Sequence, residues 1–190
     1  MSAHRMLIVY GTTWGQTAKI AAKIGELLTN RGCAVTLAKG DELPRDLRVE
    51  EYDGVIVGAS MIARRYQRYI ERFIVRYRGA LNAMPTAFFA VSGSAGSRNE
   101  KEREAAEHIL RAFLERTGWR PRLTASIAGA ITFTKYGWFT RWMMKRISRL
   151  EGGGTDTSRD YEYTDWDQVA QFADSCFAMV ATPAEAAPNA

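Results

Sequence analysis

Short apolar runs alternate along the chain with longer segments in which apolar residues recur at helical spacing. The runs lie at residues 6–10, 34–38, 54–59, 86–91 and 123–131. The first run is typical of a strand that is buried on both faces of a parallel sheet, and the other four can be further strands. The segments with helical periodicity lie at residues 17–31, 66–79, 97–117 and 164–181. This alternation predicts a doubly wound α/β sheet.

The predicted helices have recognisable ends. Gly79 is expected to end the second helix, because glycine commonly follows the last helical turn. Ser97 and Glu100 have the spacing of a capping box at the start of the third helix. Thr164 and Asp167 have the same spacing and are expected to cap the last helix, which we expect to run to about residue 181.

The regular pattern breaks after the fifth apolar run. Residues 132–163 contain an aromatic and basic segment, three consecutive glycines and a polar return, and we interpret them as an insertion at strand five. We expect residues 1–181 to form one domain and residues 182–190, rich in Ala and Pro, to be a disordered tail. No stretch has the length or character of a secretory signal or a membrane span, so a cytoplasmic location is expected.

The charge of the chain and its two cysteines indicate which ligands to expect. The formal net charge of the 190-residue chain is +5, and five cations without an acid lie between residues 135 and 150. This concentration indicates an anionic partner near that segment. Cys33 and Cys176 form neither a CxxC pair nor a metal-ligand spacing, so we expect two buried thiols and no metal site.

The segment directly after the first predicted strand has the composition of an anion site. Its residues are Thr12, Thr13, Trp14, Gly15, Gln16 and Thr17. Unpaired backbone N–H groups and the helix dipole would face a phosphate there, and hydroxyls would add donors. The segment matches neither GxGxxG nor GxxxxGK[ST], which argues against a nicotinamide Rossmann domain or an NTPase. The alternative is that Thr13 and Gln16 form a capping box at an ordinary helix start.

Two further loops leave the carboxyl ends of predicted strands. The candidate residues are Ser60 and Met61 after the third strand and Ser92, Gly93 and Ser94 after the fourth. Open α/β sheets bind ligands at that edge, so the three loops favour one ligand site over an isolated helix cap.

These residues carry a resemblance to known families. Residues 12–17 resemble the flavodoxin phosphate loop [ST]-x-T-G-x-T, with Trp14 at the position of a third hydroxyl residue. The wider sequence resembles the flavodoxin-like bacterial protoporphyrinogen oxidases from the first strand to the last helix. The stretches that carry this second resemblance are residues 84–88, 119–121, 127–130, 152–156 and 163–166.

The resemblance implies a flavodoxin-like five-stranded sheet in the order 2-1-3-4-5 with a long insertion at strand five. It implies FMN as the cofactor, protoporphyrinogen IX as the substrate and a membrane quinone as the electron acceptor, in haem biosynthesis. The flavin would carry the redox chemistry, so we assign no catalytic side chain. Residues 12–17 would hold the phosphate, and the two further loops would border the ribityl chain and the ring.

The insertion offers candidates for contact with the substrate or a membrane. They are Tyr136, Trp138, Arg141, Trp142 and Lys145. A helix over residues 137–150 would measure about 21 Å, too short to cross a hydrocarbon core of about 30 Å, but it could lie in the interface. This predicts peripheral association with the inner face of the cell membrane. Alternatively, the aromatic side chains fold back onto the domain.

Other functions stay open. A general FMN quinone reductase or a flavodoxin-like electron carrier would need the same cofactor site, and a membrane-associated binding protein without enzymatic activity would not. Nucleic acid fits poorly, because the cations are interleaved with a strongly apolar surface. The oligomeric state is left open. A second group of basic residues lies on both sides of residue 66. Such a group usually forms a solvated helix face, but Arg64 and Arg65 directly follow the second loop.

Overall fold

Five parallel strands form the central sheet of the computed structural model, which describes residues 3–97, 99–131 and 161–182. The strands are β1 Arg5–Gly11, β2 Ala34–Lys39, β3 Gly54–Ser60, β4 Thr86–Ser92 and β5 Leu123–Ala128. Their order is β2-β1-β3-β4-β5 and every pair is parallel, which confirms the predicted sheet. The chain adds β2 on one side of β1 and adds β3, β4 and β5 on the other side. Sheets of this kind bind ligands at this switch point, between β1 and β3.

Four helices cover the two faces of the sheet in the described part of the chain. They are α1 Gln16–Asn30, α2 Arg68–Ala83, α3 Glu100–Thr117 and α4 Trp166–Ala181. Met6 and Ile8 pack in one core cluster with residues of α1 and α4, whereas Leu7 and Val9 pack in the other with residues of α2 and α3. Adjacent residues of β1 therefore point to opposite faces, and both faces are buried, as the continuous apolar run predicts.

The fifth strand is shorter than predicted. β5 ends at Ala128, and the Gly129 N–H donates to the Ser92 carbonyl at 3.0 Å, where β4 also ends. The chain then forms a separate two-stranded antiparallel ribbon of β6 Ala130–Ile131 and β7 Tyr161–Glu162. This ribbon brackets the predicted insertion. Residues 132–160, which include Tyr136, Trp138, Arg141, Trp142 and Lys145, lie outside the described residues, as do residues 183–190 of the predicted tail.

Three predicted helix ends are wrong. α2 continues through Gly79 to Ala83, because Leu81 beyond it is fully buried and anchors the last turn. Asn99, instead of Ser97, caps α3, and its side-chain oxygen accepts from Lys101 N at 3.1 Å. Asp165 caps α4 by accepting from the N–H groups of residues 167 and 168. In both caps the accepting side chain belongs to the residue directly before the helix. The residue predicted from the sequence lies earlier in the chain.

The buried thiol of Cys176 makes stability sensitive to alkaline pH. Burial raises the pKa of Cys176 to about 12, whereas an unfolded cysteine ionises at about 8.5. Because the folded thiol keeps its proton longer, its contribution to the free energy of unfolding is complete below about pH 8.5 and is lost as the pH rises toward 12. We expect Cys176→Ala to flatten this decline in urea unfolding between pH 8 and 10. Identical slopes in both proteins would contradict the assignment.

Candidate functional site

The turn between β1 and α1 leaves the amino end of α1 open. Gly15 occupies the N-cap position with φ 98°, in the left-handed region that favours glycine, and no side chain of the described residues caps the helix. The Gly15 N–H donates to Thr12 Oγ1 at 2.9 Å, which folds the loop back on itself. The alternative capping box of Thr13 and Gln16 is therefore wrong. The N–H groups of the first turn remain available to an anion, and this turn contains no acidic residue.

Thr17 contributes a buried hydroxyl without a partner. The residue is 1% exposed, and its Oγ1 has no hydrogen-bond partner among the described residues. A buried polar group left in this state costs about 1–3 kcal/mol. An anion at the open end of α1 would supply the missing acceptor, so the residues present fit a phosphate group.

The Gln16 side chain is turned away from the open helix end. Its Nε2 donates to Thr164 Oγ1 at 2.8 Å, and the Thr164 hydroxyl donates to the Ala128 carbonyl at 2.8 Å. Lys19 also pairs with Glu162 at 3.2 Å. The start of α1 is thus joined to the end of β5 and to the ribbon at the base of the insertion. The Gln16 side chain is therefore engaged elsewhere, and its backbone N–H is the group that could bind a phosphate.

Two residues of the α2 region that sequence reasoning missed join the loops. The Thr12 N–H donates to the Tyr69 hydroxyl at 3.2 Å. Gln67 Nε2 donates to Thr13 Oγ1 at 3.3 Å and to Ser60 Oγ. The first two predicted loops therefore share one hydrogen-bonding residue. Gln67 was hard to find because it precedes α2 within an arginine-rich segment and belongs to no motif.

The third loop is a short 3₁₀ helix, Ser94–Gly96. Ser92 is buried, and its Oγ accepts from Ala95 N at 3.0 Å, so this hydroxyl shapes the loop. A Cβ on Gly96 would lie 2.8 Å from Ala128 Cβ, so the loop packs closely on the end of β5. Gly93 is exposed and Ser94 is half-buried, which leaves their backbone and the Ser94 side chain accessible at the rim. All three predicted loops lie at the carboxyl edge of the sheet.

None of the described helices is long and apolar enough to cross a membrane. Within the described residues, no group of three or more His, Cys, Asp or Glu side chains is placed to hold a metal ion.

Solved structures with the same fold are flavodoxins. An archaeal flavodoxin superposes with a TM-score of 0.56 and 16% identity, covering 94% of this chain and 99% of that chain. Flavodoxin 1 of Bacillus cereus also has a TM-score of 0.56 and 16% identity, covering 92% and 97% of the two chains. Identity at this level supports the flavodoxin fold and nothing finer.

Sequence comparisons are more specific. The model of the flavodoxin domain family matches residues 7–158. A protein of Escherichia coli strain K12 named protoporphyrinogen IX dehydrogenase [quinone] is 36% identical over 169 residues, which cover 89% of this chain and 92% of that protein. A Leishmania major protein of the same name is 30% identical, covering 92% of this chain and 75% of that protein. The chain therefore belongs to the flavodoxin domain family and, within it, to the family of the protoporphyrinogen IX dehydrogenases.

Proposed function

We propose that the protein oxidises protoporphyrinogen IX to protoporphyrin IX with FMN as its cofactor and passes the electrons to a quinone. The observation that carries the proposal is the 36% identity, over 89% of the chain, to a protoporphyrinogen IX dehydrogenase [quinone]. The open amino end of α1 with its unpartnered buried hydroxyl supports the cofactor, because flavodoxin domains bind a phosphate-bearing flavin.

Each of the three loops would contact a different part of FMN. Backbone N–H groups of residues 12–17 and the Thr17 hydroxyl would donate to the phosphate, and Trp14 would contribute its backbone. Ser60 and Met61 would border the ribityl chain and ring on one side, and Ser92, Gly93 and Ser94 on the other. The flavin, when bound, supplies the electron transfer. The chain's own residues would position it at the carboxyl edge of the sheet, and hydrogen bonds that join the first two loops support this arrangement.

The charge of the site supports an electron-accepting role. Residues 12–17, 60–67 and 92–97 contain no Asp or Glu, and the second of these loops contains two arginines. A cation about 4 Å from a reduced, anionic cofactor stabilises it by up to about 4 kcal/mol at an effective dielectric near 20. About 1.4 kcal/mol corresponds to about 59 mV for one electron. Cations close to the cofactor would therefore suit oxidation of a substrate better than the role of a low-potential carrier.

Steady-state turnover tests the proposed reaction. FMN-loaded protein with a water-soluble quinone should convert protoporphyrinogen IX to fluorescent protoporphyrin IX under anaerobic conditions, faster than the same mixture without protein. Quinone reduction that depends on a nicotinamide cofactor, without porphyrinogen oxidation, would favour the general quinone reductase. A purified protein that neither contains nor takes up FMN would contradict both enzymatic functions.

Peripheral membrane association is a further part of the proposal. Its support is the sequence of the insertion, in which Tyr136, Trp138 and Trp142 accompany Arg141 and Lys145. Cosedimentation with vesicles of anionic and of neutral lipid would test it. Anionic vesicles should retain the protein at low salt and release it as the ionic strength rises.

Gln67 should be needed for the arrangement of the FMN loops. Gln67→Leu keeps the volume but removes the donors to Thr13 and Ser60, so the two loops lose their shared hydrogen bonds. We expect the affinity for FMN to fall about tenfold, equivalent to about 1.4 kcal/mol. Titration of apoprotein while following FMN fluorescence measures it. Tyr77→Phe is the control, because it removes another α2 hydrogen bond, to the Leu47 carbonyl, away from the loops.

A further inference from the structure

Arg64 and Arg65 lie on a tight turn in the second loop, between Ser60 and Gln67. The turn runs from Ile62 to Arg65, with reciprocal backbone hydrogen bonds of 2.9 and 3.0 Å between these two residues. Ser60 before the turn and Gln67 after it are hydrogen bonded to each other. The turn is therefore a closed projection from the carboxyl edge of β3, and its base belongs to the proposed FMN site.

The turn is firmly attached at both ends. On one side, the Met61 N–H donates to the Val91 carbonyl at 2.8 Å. On the other side, Tyr66 is buried, and its ring lies 5.5 Å from the ring of Phe88 and 4.7 Å from that of Phe113. These contacts hold the backbone of the turn in place, so the backbone positions of Arg64 and Arg65 are defined.

The residues of the turn are unfavourable for stability. Ala63 has φ 47° and Arg64 has φ 63°, so two consecutive residues that are not glycine adopt the left-handed conformation. In addition, Arg64 and Arg65 closely precede the positive amino end of α2, where cations are disfavoured. Glu71 in the first turn of α2 does not neutralise them, because it pairs with Arg116 at 3.1 Å. Local stability alone would select glycine and acidic residues here, so another requirement accounts for the arginines.

Both guanidinium groups are accessible to a ligand. Arg64 and Arg65 are exposed, and neither forms an ion pair or a side-chain hydrogen bond with a described residue. The loops that border the site contain no carboxylate to pair with them. Guanidinium groups pair with carboxylates through two parallel hydrogen bonds, which a water-exposed lysine could not reproduce with the same geometry.

From these observations, and on the basis of the proposed function, we infer that Arg64 and Arg65 bind the propionate carboxylates of the porphyrinogen at the rim of the FMN site. The turn would fix the carboxylate edge of the macrocycle relative to the flavin, and the two arginines would select dicarboxylate porphyrins over uncharged ones. They are positioning and specificity residues, and they take no part in electron transfer.

Binding of protoporphyrin IX and of its dimethyl ester to FMN-loaded protein tests this inference. The variant Arg64→Asn/Arg65→Gln removes both charges, and asparagine tolerates the left-handed conformation. We expect its dissociation constant for the dicarboxylate to rise at least tenfold, with the ester and FMN bound as in the wild type. The control Arg72→Gln/Arg76→Gln loses the same charge from the exposed face of α2 and should leave all three affinities unchanged.

The outcomes separate this inference from the proposed function. Unchanged dicarboxylate binding in the Arg64→Asn/Arg65→Gln variant, or equal weakening of the dicarboxylate and the ester, would overturn the carboxylate subsite while wild-type turnover would still support the dehydrogenase. Arginine-dependent dicarboxylate binding by a wild type that does not oxidise protoporphyrinogen would remove the proposed activity and leave the subsite. Wild-type protein that neither binds protoporphyrin IX nor oxidises protoporphyrinogen would overturn both.

Discussion

Thr17→Val should weaken FMN binding by about 10–100-fold while leaving the apoprotein as stable as the wild type or more stable. Valine has nearly the same shape but lacks the hydroxyl, so a phosphate at the amino end of α1 would lose a charge-assisted hydrogen bond, worth about 1.5–3 kcal/mol. In the apoprotein the same change removes a buried oxygen that has no described partner. FMN titration and urea unfolding of the apoprotein measure the two effects.

Thr117→Val is the matched control for this experiment. Thr117 is also 1% exposed, but its hydroxyl donates to the Phe113 carbonyl at 3.0 Å within α3. We therefore expect the control to lose about 1 kcal/mol of stability and to keep its FMN affinity. The assignment of Thr17 to the phosphate would be wrong if Thr17→Val bound FMN normally and was destabilised as much as the control.

Of the single substitutions proposed, Gly58→Ala should lower the free energy of unfolding most. Gly58 lies on β3 beside Phe89 of β4, and a Cβ there would lie 2.0 Å from Phe89 Cζ. Phe89 is fully buried and its ring packs against that of Phe172 at 6.1 Å, so it has no space into which to move. We expect a loss of about 3 kcal/mol, at the upper end of the usual effect of overpacking a core.

Gly79→Ala provides the opposite result in the same protein. Gly79 lies inside α2, and a Cβ there would have no neighbouring atom within 4 Å. Alanine should therefore raise stability by up to about 1 kcal/mol, because it has the higher helix propensity. Urea unfolding of both variants measures the difference. A destabilised Gly79→Ala variant would contradict the continuation of α2 past this residue.

The fold could be predicted from the sequence because its three central strands, β1, β3 and β4, are mostly apolar and buried. In β1, Met6, Leu7, Ile8 and Val9 are all fully buried, and such a run indicates a strand with helices on both sides. The ends of elements were harder to predict. Asn99 and Asp165 cap helices close to a Ser and a Thr whose spacing also fits a capping motif, so the sequence alone did not distinguish between them.

The candidate site was predicted as loops, but its internal contacts were not. The position of residues 12–17 follows from a strand, a glycine and a helix start in succession. The hydrogen bonds of Gln67 to Thr13 and Ser60 join residues that are 54 and 7 positions apart, and no local pattern encodes such contacts. The same is true of Thr164, whose bond to Gln16 spans 148 positions. The turn at Ala63 and Arg64 was also unpredictable, because neither residue favours the left-handed conformation.

Anaerobic mixing of FMN-loaded protein with protoporphyrinogen IX shows directly whether the porphyrinogen reduces the flavin. With the protein in molar excess, because oxidation of one porphyrinogen releases more electrons than one flavin accepts, we expect the absorption of oxidised flavin to disappear as protoporphyrin fluorescence grows, and added quinone to restore the flavin absorption. A flavin spectrum that porphyrinogen leaves unchanged, while a reduced nicotinamide cofactor bleaches it, would contradict the proposed oxidation of protoporphyrinogen.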